Sequence, residues 1–102
     1  MANNNRFTKL ERKELRRLAG MAYNRELAKA LEALEKNFLR WRKGKISAFE
    51  LSDLIHKFHN GVAHNLWSFY EMGHAELIVR HAIAEGIILK TEVSLGILEK
   101  LI

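Results

Sequence analysis

The sequence contains no cysteine and no proline, and only six glycines among its 102 residues. Without cysteine, neither a disulfide framework nor a thiolate metal site can form, so nothing favours secretion and we expect a cytoplasmic protein. Without proline, long periodic segments run uninterrupted, and the apolar–polar alternation typical of strands is scarce. The sequence therefore predicts an all-α fold.

Long apolar runs are missing as well. No stretch approaches the roughly 20 apolar residues that span a bilayer, and residues 1–6 lack the apolar segment of a signal peptide, so we expect no membrane partner. At this length, with 48% hydrophobic residues, the chain suits one domain, residues 1–102, with residues 1–6 frayed.

The strongest local signals mark the ends of two long helices. Thr8 and Ser47 each stand three residues before a glutamate, the spacing of a capping box. Gly44, preceded by basic residues, is a typical left-handed helix stop. These signals predict helices over about residues 8–43 and 47–72, joined by a short turn into a long antiparallel hairpin.

Two shorter helices are predicted after the hairpin, over about residues 74–85 and 91–101, where they would cap it and complete a helical bundle. Two glycines leave alternatives open. Gly20 marks a weak point in the first helix, the close approach of another helix, or only a glycine tolerated within a helix. Asn60-Gly61 marks a kink or break in the second.

The second helix carries an apolar face. At about 100° per residue, its apolar side chains fall within roughly 80° of one another, and we expect this face to meet the first helix. Its members are Leu51, Ile55, Phe58, Val62, Leu66 and Phe69.

A neighbouring face of the same helix is rich in aromatic residues, which are costly to leave in water. We expect it to be covered by the shorter helices or by a second protein molecule, and we predict it as an interface. Its members are Phe49, His59, Ala63, Trp67 and Tyr70.

Asp53, His56 and His64 share the polar side of this helix, and His59 lies near them on the aromatic face. Imidazole and carboxylate groups one turn apart can hold zinc or another divalent ion. A solvated helix face has the same appearance, and no recognised metal motif is present, so we predict no metal or other cofactor and keep these residues as candidate ligands.

Charge is distributed unevenly along the chain. Residues 1–45 hold thirteen Lys or Arg and five Glu, net +8, whereas residues 46–102 hold four basic and seven acidic residues, net −3. Basic stripes of this kind attract phosphates, although interleaved glutamates also suit a salt-bridged exposed helix. The nucleic-acid candidates are Arg6, Lys9, Arg12, Lys13, Arg16 and Arg17.

Motifs of catalysis are absent: there is no phosphate-binding glycine loop and no nucleophile elbow. We therefore predict a small non-enzymatic helical protein that acts through self-association, as a homodimer, or through binding another protein. Nucleic-acid binding by the basic face of the first helix is the alternative, and divalent-metal binding by the histidine cluster is the second.

Overall fold

The computed structural model describes residues 6–101. In chain order the helices are α1 (Lys9–Arg42), α2 (Ala48–Phe58), α3 (His64–Met72), α4 (Ala75–Ala84) and α5 (Leu95–Leu101). A π-helical segment, His59–Ala63, joins α2 to α3 without a break, and a 3₁₀ turn, Lys90–Glu92, precedes α5. No strand occurs in residues 6–101, which confirms the all-α prediction. The frayed leader predicted for residues 1–6 lies outside the described residues, apart from Arg6.

Both predicted capping boxes are present. At the start of α1, the Thr8 amide donates to Glu11 Oε1 (2.9 Å) and the Glu11 amide donates to Thr8 Oγ1 (3.1 Å). At the start of α2, the Ser47 amide donates to Glu50 Oε1 (2.8 Å) and the Glu50 amide to Ser47 Oγ (3.0 Å). Each box satisfies two amides that the helix itself leaves without acceptors, which fixes where each helix begins.

Glycines end two of the helices. Gly44 follows α1 with φ of 73°, and Gly86 follows α4 with φ of 76°. Residues other than glycine are strained in this left-handed region of the backbone. By contrast, α1 runs unbroken through Gly20, and a Cβ added there would meet no atom of the described residues within 4 Å. Gly20 therefore marks neither a break nor a close approach of another described helix.

The chain divides into two compact units. Among the described residues, unit 1 comprises 6–23 and 73–101, and unit 2 comprises 24–72, so α1 contributes its first half to one unit and its second half to the other. Eleven of the fourteen buried apolar side chains found among the described residues belong to unit 1. That residues 1–102 form a single domain stays a prediction.

Unit 1 packs the first half of α1 against α4 and α5 around fully buried side chains such as Leu18, Val79 and Ile97. The last helix begins later than predicted, at Leu95 rather than near residue 91. Val93 is buried in an extended conformation, and the amide of Ser94 donates to Glu14 Oε2 (3.0 Å). Burial of Val93 holds the chain extended where the local sequence predicts helix.

Unit 2 is an antiparallel hairpin of the second half of α1 with α2 and α3, shorter than the hairpin predicted for residues 8–43 and 47–72, because the first half of α1 belongs to unit 1. Near its open end, Tyr70 of α3 contacts Glu26 of α1. Closer to the turn, Phe58 of α2 lines the same groove as Leu34 of α1. Because later residues of one arm meet earlier residues of the other, the two arms run in opposite directions.

Candidate interaction surface

The π-helical segment sets which side of α2 and α3 faces α1. A π turn adds one residue to the α-helical turn, so the residues after it are displaced by about 100° relative to an unbroken α-helix. The side chains turned inward are, in order, Leu51, Leu54, Phe58, Ala63, Leu66 and Tyr70, all buried or half-buried. Their spacings of 3, 4, 5, 3 and 4 contain a single step of five, and that step crosses the π segment.

This shift changes the face that periodicity predicts. An unbroken helix would place Phe69 inward, but Phe69 is 41% exposed and its neighbour Tyr70 is 8% exposed. Ile55 and Val62, also predicted to face α1, are exposed. The predicted inner face is therefore correct for Leu51, Phe58 and Leu66 and wrong for the other three residues. Leu54, Ala63 and Tyr70 complete the observed inner face. The glycine at position 61 was the sequence signal for a helix irregularity, but not for its kind.

One flank of the hairpin carries a shallow groove of about 270 Å³. Its walls come from both arms: Ala30, Ala33, Leu34 and Asn37 of α1, and Leu54, Lys57, Phe58 and Val62 of α2 and the π segment. The small side chains of the two alanines leave this groove shallow, and Lys57, which also lines it, forms an ion pair with Asp53 (3.0 Å).

The opposite flank carries exposed apolar side chains. Leu31 follows Ala30 by one residue and Ile55 follows Leu54 by one residue, a rotation of about 100° away from the groove on each arm. In an antiparallel pair of helices, the residues that follow the contact line by one position on each helix lie on the same side of the pair. Leu31 is 46% exposed, Ile55 38% and Trp67 48%. Trp67 follows the inward-facing Leu66 by one residue in the same way, and we call Leu31, Ile55 and Trp67 the Leu31 flank.

Unit 2 leaves far more apolar surface uncovered than unit 1. Of the thirteen large apolar side chains that are exposed among the described residues, nine lie in residues 24–72. Of the fourteen buried apolar side chains of any size among the described residues, only three lie there: Ile46, Leu51 and Tyr70. Two helices can bury only the stripe between them, so a hairpin with apolar side chains on further sides retains unpartnered surface.

The predicted interface residues occupy three different positions. Tyr70 and Ala63 face inward within the hairpin, and Trp67 belongs to the Leu31 flank with His59 exposed beside it. Phe49 is 88% exposed, but it precedes Leu51 by two residues, about 200° around the helix, and so lies on the far side. The assignment of these five residues to one interface stays a prediction.

The candidate metal ligands are exposed, and two of them hold other contacts. Asp53 pairs with Lys57 within α2, and the His64 ring stacks against Trp67 with centroids 5.7 Å apart. His56 and His59 lie exposed. Within residues 6–101, no three side chains of His, Cys, Asp or Glu come together as a cation site would require.

The basic residues of α1 are divided by the fold. All six predicted nucleic-acid candidates are exposed. Arg6, Arg12 and Arg16 line a cleft in unit 1, whereas Lys9, Lys13 and Arg17 do not. His74 also lines this cleft. The sequence did not predict this position, because only the packing of α4 brings His74 to the cleft. The single local sign was its place after Gly73 at a predicted helix start.

Comparisons with family models, with curated proteins and with solved structures give no match for this chain. Of the helices in residues 6–101, none has the combined length and hydropathy that a membrane crossing demands.

Proposed function

We propose that the protein is a small non-enzymatic helical protein, acting in the cytoplasm through self-association. Two copies pack their Leu31 flanks together, and the two hairpins form a four-helix bundle. The observation that carries this proposal is the uncovered apolar surface of unit 2, where nine large apolar side chains are exposed and three are buried.

A second copy is the favoured occupant because the two arms of the hairpin carry opposite charge. Residues 24–42 hold five Lys or Arg and three Glu, net +2, and residues 48–72 hold one Lys and three acidic residues, net −2. A two-fold axis along the hairpin places α1 of one copy against α2 and α3 of the other. Every pair of neighbouring helices is then antiparallel, and oppositely charged arms meet.

Trp67 is expected near the centre of this interface. Its ring already stacks on His64 along one side, and tryptophan buries a large apolar area when a partner covers it. The half-buried Leu27 and Phe38 of α1 extend the surface along the other arm.

Light scattering after size exclusion tests the proposal. We expect a dimer at tens of micromolar, and a monomer for Leu31→Glu or Ile55→Glu, because a carboxylate in the interface would lose its hydration. Phe49→Glu is the matched control, since Phe49 is more exposed than either but lies off the flank, and it should remain dimeric.

A second measurement follows Trp67 directly. With Trp41→Phe, Trp67 is the only tryptophan of the chain. Its emission should shift to longer wavelength on dilution as the dimer dissociates. A wild-type protein that stays monomeric at about 50 μM, well above the dissociation constant of a micromolar dimer, would rule out self-association.

A further inference from the structure

A cleft of about 710 Å³ lies in unit 1, lined by the start of α1 and the start of α4. Its size falls in the range of about 300–1,000 Å³ that is typical of small-molecule sites. Three guanidinium groups line it, those of Arg6, Arg12 and Arg16, and Glu76 is its only acidic residue among the described lining residues. The lining therefore carries a formal charge of +2 when His74 is neutral.

Two of the guanidinium groups are held in place by the protein. Arg12 Nη1 donates to the carbonyl oxygen of Phe7 (2.7 Å). Arg6 Nη2 donates to Glu76 Oε2 (2.7 Å) and to the carbonyl oxygen of Lys100 (2.7 Å). A guanidinium has five N–H donors, so each group keeps donors for a ligand while its position is fixed.

Two further basic groups have no partner among residues 6–101. Arg16 lies one helical turn after Arg12 and therefore on the same side of α1. Neither Arg16 nor the imidazole of His74 has a hydrogen bond or ion pair with any residue that the structure describes. Fixed positive charge and unsatisfied donors thus face one cavity.

The start of α4 adds to the positive electrostatic potential of the cleft. His74 is the N-cap residue of this ten-residue helix, yet its side chain makes no capping hydrogen bond. Ala75, Glu76 and Leu77, which form the first turn, line the cleft. The positive end of the helix dipole and these amides strengthen the attraction for an anion that the arginines already provide.

We propose that this cleft binds a small organic phosphate. The lining charge of +2 matches a dianion, and guanidinium forks match the oxygen geometry of phosphate better than a point charge does. Leu15, Ala75 and Leu77 supply an apolar wall beside the basic groups, which suits the organic part of such a ligand. All lining residues of this site belong to unit 1, and the proposal does not rest on self-association.

Calorimetric titration with phenyl phosphate at pH 8 and low salt tests the proposal, with backbone amide shifts as a second readout. We expect saturable binding, tighter than that of inorganic phosphate, with shifts at residues 75–77. Phenol should not bind. Arg16→Ala should weaken binding about tenfold, since a charge-assisted hydrogen bond is lost.

Arg17→Ala is the matched control. It removes the same charge one residue further along α1, at an exposed position outside the cleft, so affinity should change less than about twofold. Both variants should have the melting temperature of the wild type, because both side chains are exposed. His74→Ala is a second cleft variant and should also weaken binding.

Three results would overturn the proposal. The first is no saturable binding of phenyl phosphate up to about 10 mM, ten times the concentration that half-saturates a site with a millimolar Kd. The second is an equal loss in Arg16→Ala and Arg17→Ala, which would indicate a diffuse charge effect. The third is binding of duplex DNA alone, weakened equally by both variants, which would favour the nucleic-acid alternative.

Discussion

The hydroxyl of Tyr70 donates a hydrogen bond to Glu26 Oε2 at 2.5 Å. The two residues are 44 positions apart, and their contact joins the end of α3 to the middle of α1 within unit 2. Burial, then the hydrogen bond and charge of Glu26, raise the pKa of Tyr70 above its ordinary value of 10.0. The hydroxyl therefore remains protonated as a donor through the physiological range.

Tyr70→Phe removes this donor and leaves the half-buried Glu26 carboxylate without it. Hydrogen bonds to charged groups contribute about 1.5–3 kcal/mol, and Glu26 regains some water, so we expect the free energy of unfolding to fall by about 1–2 kcal/mol. Urea denaturation measures the change. Glu26→Gln keeps an acceptor and should cost less. A Tyr70→Phe variant as stable as the wild type would show that the bond contributes nothing.

The π-helical segment and the length of chain within it place Tyr70 on the inner face. Deleting one residue of this segment tests that relationship. Removing Asn60 converts residues 59–63 to an ordinary α-helical turn and leaves Leu66 and Tyr70 on the inner face. We expect the deletion to change the free energy of unfolding by less than about 1 kcal/mol.

Inserting one alanine after Asn60 is the opposite change. It rotates α3 by about a further 100°, exposes Leu66 and Tyr70, and should cost more than about 2 kcal/mol. Urea denaturation of both variants tests the register argument. A deletion as damaging as the insertion would mean that the π turn does not set the inner face.

This register explains where sequence reasoning succeeds and where it stops. Thr8, Ser47 and Gly44 specify helix ends through contacts within one turn, so their roles can be read locally. Tyr70 cannot be placed in the same way, because its direction depends on a turn type ten residues earlier. Apolar periodicity assumes 3.6 residues per turn throughout and therefore predicts that Phe69, rather than Tyr70, faces α1.

The basic cleft could not be predicted for a different reason. Arg12 and Arg16 share one side of α1, and that much is evident from their spacing. His74 and Glu76 reach the same cavity only because α4 packs against the first half of α1, more than 50 residues earlier in the chain. Such contacts come from tertiary packing, on which local spacing has no bearing.

Glu11 makes unit 1 sensitive to acid. A hydrogen bond from Lys100 Nζ (2.6 Å), followed by the bond from the Thr8 amide, lowers the pKa of Glu11 below its ordinary value of 4.5. A carboxylate whose pKa is lower in the folded state contributes stability above its unfolded pKa and loses it as the pH falls through the folded one. The contribution is therefore present at neutral pH and lost below 4.5.

Melting temperatures at neutral pH and at about pH 3, below the ordinary carboxyl range, measure this effect. Glu11→Gln should melt lower than the wild type at neutral pH and should lose less on acidification. Glu35→Gln is the control, because Glu35 is an exposed residue of α1 with no hydrogen bond or ion pair among the described residues. Equal acid sensitivity of the wild type and Glu11→Gln would contradict the assignment.

Two glycines in helices should respond in opposite ways to alanine. Gly20 is exposed in the middle of α1 with open space around it, so Gly20→Ala should raise the free energy of unfolding by about 0.5–1 kcal/mol through helix propensity. At Gly96 of α5, an added Cβ would lie 2.7 Å from Glu11 Oε2. Glu11 would have to move away from Thr8 and Lys100.

We expect Gly96→Ala to lower the free energy of unfolding by about 1 kcal/mol, the low end of overpacking costs, since a flexible carboxylate gives way more easily than backbone. A double-mutant cycle in urea identifies the cause. With Glu11→Ala in the background, the added methyl meets no carboxylate, and Gly96→Ala should become neutral or stabilising through the same propensity that favours alanine at Gly20. If Gly96→Ala is equally destabilising with and without the Glu11 carboxylate, the contact between these residues is not the reason that position 96 requires glycine.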